Sequence, residues 1–384
     1  MTSVDDTLRA VEKHLEENPD DASAWNVRGV LLANKKEFGE ALRCLNRAIR
    51  LDSGLSEAHT NRGRVLMALG PDKASSALES FDRALRLSPN NSEALIDKAK
   101  ALHALGRTDE ELACYEKVSK SVTDVPAVWI RMGDIKLEQG HFNDAVRDYD
   151  HALLLDPEKV TALVHRAIGL SMMEKGNEAV KSAEKATKLA PDDIETWRVL
   201  ADVNIRYGRQ HAAMKALKKA SEIDPSDASV ENTMGMIEFK AGRLKDAAAH
   251  FRRALVRDKK HITALRNLGF VQMDLEDWSG ASKTWERLTA LVKDDPRVFD
   301  AKATTSARLD DFCSASEAWK EARKLYKRRG DDKEAKRVTE LGRAARINCS
   351  HQKKAARAER EHEKASRSFS DRFDERRRKS KKTR

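Results

Sequence analysis

Apolar and polar positions along this chain recur on the spacing of helix faces, and the whole pattern returns every 34 residues. Gly29, Gly63, Ala99, Gly133, Ala167, Ala201, Gly235, Gly269 and Ala303 form a column of small residues with one irregular step, 36 residues from Gly63 to Ala99. A second column runs through Ala41, Ala77, Ala145, Ala179, Ala213, Ala247, Ala281 and Ala315 and is broken only by Glu111. A third column contains Ala48, Ala84, Ala152, Ala186, Ala220, Ala254 and Ala322, with Val118 and Leu288 as larger members. Bulky residues keep the same register. Trp25, Trp129, Trp197 and Phe299 fall early in a unit, and Phe81, Tyr115, Tyr149, Phe251, Trp285 and Trp319 fall in its second half. Small residues on a helix face let two backbones approach, and the bulky ones fill the space between such contacts. The pattern predicts stacked pairs of helices in which each pair touches only its neighbours.

The turn inside a unit is marked by glycine at Gly70, Gly106, Gly140, Gly208 and Gly242, and units close at Pro89, Pro157, Pro191 and Pro225, where a helix cannot continue. Nine units are expected, beginning near Ala22, Ser56, Ser92, Pro126, Val160, Ile194, Ala228, Ile262 and Pro296. Val4, Leu8, Val11 and Leu15 predict one further helix before them, a half-repeat within residues 1–21. After residue 329, Ala335, Val338, Leu341 and Ala345 predict a capping helix over 330–350, begun by Asp331 or Asp332. Helices of this length are marginal alone in water, so the stability of the array must come from packing between units.

These columns resemble the tetratricopeptide-repeat (TPR) family: a bulky residue, a small one, alanines and a closing proline within 34 residues. The stretch from Ala127 to Pro157, AVWIRMGDIKLEQGHFNDAVRDYDHALLLDP, carries the closest likeness, and the resemblance covers residues 22–329. Pro71 and Asp72 add two residues to one turn, Ser53 and Thr123 replace the early closing proline, and Lys259, Lys293 and Lys327 replace it late. The resemblance implies an all-α, right-handed α-solenoid of about nine TPR-like helix-turn-helix repeats with a C-terminal capping helix and a basic tail. It also implies that the first helix of each unit lines an inner groove able to hold a partner protein.

Composition sharpens the picture. The chain has 35% charged residues and 5% aromatic residues, which fits helices with one or two buried stripes and a wet outer face. Cys44, Cys114, Cys313 and Cys349 lie far apart with no C-x-x-C pair, so metal binding and a disulfide framework are not expected and a cytoplasmic setting is. The first residues carry no basic region followed by an apolar run, and no apolar stretch approaches the ~18 residues of a membrane span. The net charge of +10 is concentrated at the end, where residues 353–384 hold fourteen Lys and Arg against six acids. Residues 351–384 are expected to form a basic, disordered tail.

No metal-binding, phosphate-loop, dinucleotide or nucleophile motif stands among the eleven histidines and the many carboxylates, so no catalytic residue, metal or cofactor is expected and the chain is not expected to be an enzyme. The expected partner-binding groove contains Arg131, Asp134, Arg198, Asp202, Arg206, Asn232, Met236, Phe239, Arg266, Asn267, Phe270 and Met273. Its charges either grip a mixed-charge peptide or pair with one another. Its Met and Phe residues either dock apolar side chains or fill space between helices. Chaperone-tail binding is not expected, because only Asn61 fits that pattern and acids stand where cations are required. The expected function is a non-enzymatic protein-interaction scaffold. The alternative is an RNA- or ribosome-associated adaptor that meets phosphate through Arg376, Arg377, Arg378, Lys379, Lys381 and Lys382.

Overall fold

A computed structural model describes residues 3–382, with side chains described through Lys364. Twenty α-helices and one short 3-10 turn make up the described residues, and no strand occurs among them. Two compact units divide the chain, Met1–Tyr207 and Gly208–Arg384. The first holds α1 (Val4–Glu17), α2 (Ala22–Asn34), α3 (Phe38–Leu51), α4 (Ser56–Leu69), α5 (Ala74–Leu87), α6 (Ser92–Ala104), α7 (Thr108–Ser119), α8 (Pro126–Glu138), α9 (Phe142–Leu155), α10 (Val160–Met172), α11 (Gly176–Leu189) and α12 (Ile194–Arg206). The second holds α13 (Gln210–Ile223), α14 (Ala228–Lys240), α15 (Leu244–Arg257), α16 (Ile262–Asp274), α17 (Trp278–Leu291), α18 (Pro296–Arg308), α19 (Phe312–Arg328) and α20 (Asp332–Lys382). From α2 onward the even-numbered helices through α18 start at the nine residues where the sequence pattern places the unit starts. Within each compact unit, consecutive helices pack as pairs and each pair packs on the next, the arrangement of an α-solenoid.

The columns explain this packing by size. A Cβ added at Gly133 would fall 2.6 Å from the Tyr149 ring, at Gly235 2.6 Å from Phe251, and at Gly269 2.6 Å from Trp285. The bulky residue of a second helix therefore lies directly on the small residue of its first helix. Tyr149, Phe251 and Trp285 are fully buried by this contact. The early bulky column has another task. The indole N–H groups of Trp25, Trp129 and Trp197 donate to the carbonyls of Pro19, Thr123 and Pro191, each six residues back. This ties the start of a first helix to the turn before it. Cations on second helices stitch neighbours in the same way: the ammonium groups of Lys117 and Lys185 each donate at 2.7 Å to the carbonyls of Pro89 and Pro157.

Turn chemistry follows the register too. The chain turns through left-handed backbone at Gly106, Gly140, Gly208 and Gly242, and at Lys36, Glu174, Glu276 and Asp310 where no glycine stands. The two extra residues at Pro71 and Asp72 are taken up as a 3-10 turn, Pro71–Lys73, ahead of α5. Asp21, Asn91, Asp193, Asp227 and Asp295 cap first helices by accepting backbone N–H groups.

The structure corrects the sequence reading at two places. The first is the tail: α20 is one helix of 51 residues that crosses the expected end of the capping helix at 350. Its first turns bury Ala335, Val338 and Ala345 against α19, whereas residues 353–364 are exposed along their whole length. Strong helix formers and charge pairs such as Arg357 with Glu361 at 3.0 Å carry the helix there without a core. The second concerns cysteine. Cys313 and Cys349, 36 residues apart in sequence, form a disulfide, because α19 and α20 run side by side and bring their Cα atoms to 4.8 Å. Cys44 and Cys114 are buried thiols.

Candidate functional site

The expected groove residues lie on first helices, and their surroundings separate them into three kinds. The first kind is ion-paired. Outside the expected set, Arg64 of α4 shows the same behaviour, meeting Asp97 of α6 at 2.5 Å and Glu93 at 2.8 Å. Asp134 of α8 accepts from the Tyr149 hydroxyl at 2.9 Å and contacts His165 Nδ1 of α10 at 2.6 Å. Burial and the neighbouring Asp134 carboxylate push the Tyr149 phenol far above its ordinary range, so it stays a donor. Arg266 of α16 pairs with Asp295 at 3.1 Å. Each of these charges has a partner within the protein.

Arg131 is the exception in its choice of partner. It reaches Glu111, the residue that breaks the alanine column, with Nε at 2.7 Å and Nη2 at 3.2 Å. Glu111 is only 1% exposed and sits where other units place an alanine. His103 Nδ1 lies 2.8 Å from Arg131 Nη2 and 3.3 Å from the Glu111 carboxylate, so Arg131 is the permanent cation that answers the buried carboxylate, with the imidazole beside the pair.

The second kind is apolar. Met236, Phe239 and Met273 are half-buried against the core shared by α14, α16 and their neighbours. Phe270 stands 41% exposed, its ring edge-on to Trp285 with centroids 5.0 Å apart. Of the four expected docking residues, Phe270 is the one that is exposed.

The third kind is polar and open. Asn232 and Asn267 join neighbouring first helices through an amide hydrogen bond of 3.0 Å. Arg198, Asp202 and Arg206 of α12 are exposed. The surrounding protein nevertheless displaces enough water to push the Asp202 carboxyl above its ordinary range, with Arg198 pulling in the other direction. Arg376, Arg377, Arg378, Lys379, Lys381 and Lys382 fall outside the residues whose side chains are described.

The buried carboxylate of Glu231 escaped the sequence reading. Glu231 occupies the position of the early bulky column, where Trp25, Trp129 and Trp197 stand in other units. It accepts from His250 at 2.7 Å, Arg253 at 3.1 Å and Arg257 at 2.9 Å. A carboxylate in a tryptophan column was the visible signal. Burial raises the Glu231 pKa, but the hydrogen bonds from His250 and Arg253 and the charges of Arg253 and Arg257 outweigh it, so the group lies below its ordinary 4.5. A depressed acid contributes stability above its unfolded value and loses it as pH falls through the folded value. The urea midpoint of the wild type is therefore expected to drop between about pH 5 and about pH 3 by more than that of Glu231→Gln. Equal pH slopes for the two proteins would show that the cluster holds no charge-dependent stability.

No group of three His, Cys, Asp or Glu placed to hold a metal occurs among the described residues, and no helix among them is long and apolar enough to cross a membrane. The geometry is that of a helical-repeat protein whose distinctive surfaces are the first-helix faces. The chain belongs to the tetratricopeptide-repeat family. More than half of it, residues 61–294, matches the family model of the cilia and flagella-associated protein 70 C-terminal domain, and residues 4–56 match a tetratricopeptide-repeat model. No curated protein sequence matches the chain. Among solved structures it is similar to YrrB, described as a TPR protein with an unusual peptide-binding site, at 21% identity over 49% of this chain and 95% of that one, with a TM-score of 0.45. A tetratricopeptide repeat protein from Parabacteroides merdae is similar at 19% identity over 66% of this chain and 99% of that one, with a TM-score of 0.48. The APC/C hetero-tetramer Cut9-Hcn1 is similar at 15% identity over 83% of this chain and 76% of the matched one, with a TM-score of 0.44.

Proposed function

We propose that this protein is a non-enzymatic, cytoplasmic interaction scaffold that holds a peptide or helix of a partner protein on its first-helix faces. Membership of the repeat family supports the reading, because such an array is built as a surface rather than as a closed cavity. The observation that carries it is Phe270, a large ring left 41% exposed on a first helix beside half-buried Met273. A large exposed aromatic side chain is the kind of anchor around which peptide hot spots form. In a reducing compartment Cys313 and Cys349 would stand as adjacent thiols rather than as a disulfide.

The test is affinity purification of the full chain, of Phe270→Ala and of a chain ending at Ser350, each with nuclease treatment. Partner proteins should be recovered with the full and the shortened chain alike. Phe270→Ala should weaken capture by about tenfold at unchanged helicity, the size of a hot-spot truncation. Recovery that needs residues 351–384 and is lost on nuclease treatment would favour the RNA- or ribosome-associated adaptor instead.

A further inference from the structure

The helix pair α19 and α20 holds a cationic cleft that no reading above uses. Two adjoining cavities of about 380 Å³ and 340 Å³ run along the pair and share Arg323, Thr339 and Arg343. Six exposed cations line them: Lys320, Arg323 and Lys327 on α19, and Lys336, Arg343 and Arg346 on α20. The spacing 320, 323, 327 is one helical face, as is 336, 343, 346, so each helix turns a basic stripe towards the shared cleft. None of the six makes an ion pair among the described residues. Elsewhere on the same two helices, cations do find acids: Lys324 pairs with Glu321 at 3.7 Å, and Arg337 pairs with Glu334 at 2.7 Å and also with Asp300. Glu317, Asp332 and Glu340 line the cavities too, but none of them pairs with these cations, and the lining keeps a positive excess of three.

The cleft is held in shape from both ends and from below. The turn at Arg329–Asp331 joins the helices at one end, and the Cys313–Cys349 disulfide joins them towards the other. Trp319 and Val338 are buried beneath it, and the Cβ position of Gly342 lies 3.3 Å from Trp319 Cβ, so the helices are in close contact there. Like charges lined up on a preformed surface repel one another and attract a polyanion that releases their counterions.

We propose that the α19–α20 cleft binds a linear chain of phosphates. Seven residue steps from Lys320 to Lys327 and ten from Lys336 to Arg346 make stripes of about 10 Å and about 15 Å. Stripes of this length are long enough to meet more than one phosphate of an extended chain. The elongated, two-chambered shape fits a chain better than a single compact anion. Three arginines present forked donors matched to phosphate oxygens. The site is separate from the first-helix faces and from the terminal cations at 376–382.

The experiment titrates full-length protein with a labelled single-stranded RNA oligonucleotide and, separately, with labelled linear polyphosphate, both by anisotropy over a range of salt. The variants are Arg323→Glu with Arg343→Glu, the milder pair Arg323→Gln with Arg343→Gln, and Arg376→Glu with Arg377→Glu and Arg378→Glu. Both cleft residues are exposed, so helicity should be kept, and the milder pair serves if charge reversal disturbs the fold. The cleft variants should bind at least about tenfold more weakly, with a salt slope flatter by about 1.4 for two lost contacts. The tail variant should keep that cleft-dependent component. Tighter binding of RNA would identify a nucleic-acid strand as the source, and tighter binding of polyphosphate a free phosphate chain. Wild-type affinity and slope in both cleft variants would overturn the proposal. So would polyglutamate of equal charge competing as well as the phosphate chains do.

Discussion

Arg131→Ala is expected to cost about 3 to 5 kcal/mol of folding stability, because it leaves the Glu111 carboxylate buried without its cation. Glu111 is 1% exposed and Arg131 holds it with two forked hydrogen bonds, while His103 Nδ1 stands 2.8 Å from Arg131 and 3.3 Å from Glu111. The reverse substitution should behave differently. Glu111→Ala restores the residue that the other units carry in this column and removes the charge that needs an answer, so its cost should be much smaller. The double variant should therefore recover most of what Arg131→Ala loses. Chemical denaturation of the three variants reads this directly. A small effect for Arg131→Ala would mean that water or another group already satisfies Glu111.

Gly235→Leu is expected to be similarly damaging for a steric reason. Even the first added carbon would lie 2.6 Å from Phe251 Cε1, and Phe251 is fully buried within the packed helices. Overpacking of this kind costs about 1 to 3 kcal/mol or more where the neighbours cannot move. Gly39, in contrast, has open space around its Cβ position, so Gly39→Ala should be tolerated. A matching loss at both sites would show that the cost does not come from the ring above Gly235, because helix propensity alone favours replacing glycine at either site.

The fold was legible because the array repeats itself. Nine copies of a size pattern fix where each helix starts, and the structure supplies the partner of each column: Tyr149 on Gly133, Phe251 on Gly235, Trp285 on Gly269. What sequence did not reveal lies in contacts that occur only once. The Cys313–Cys349 pair depends on how α20 lies against α19, and neither cysteine belongs to a column. The long run of α20 rests on local charge pairing with no apolar period to announce it. In the groove, register placed Met236, Phe239, Phe270 and Met273 on first helices but did not distinguish three half-buried side chains from the exposed Phe270. The buried carboxylates Glu111 and Glu231 were visible only as breaks in columns. Naming Arg131 as the partner of Glu111, or Arg257 as a partner of Glu231, required three-dimensional contacts.

The central claim is that a large side chain on most second helices is matched to a small one on the paired first helix, as Phe251 is to Gly235, and that this matching builds the array. A double-mutant cycle of Gly235→Ala and Phe251→Leu, read by urea denaturation, tests it most directly. The added methyl should be costly beneath the phenylalanine ring and much less so beneath leucine. The double variant should therefore be more stable than the sum of the single losses allows, by about 1 kcal/mol or more. Additivity within about 0.5 kcal/mol would mean that Gly235 and Phe251 do not sense each other and would contradict the account.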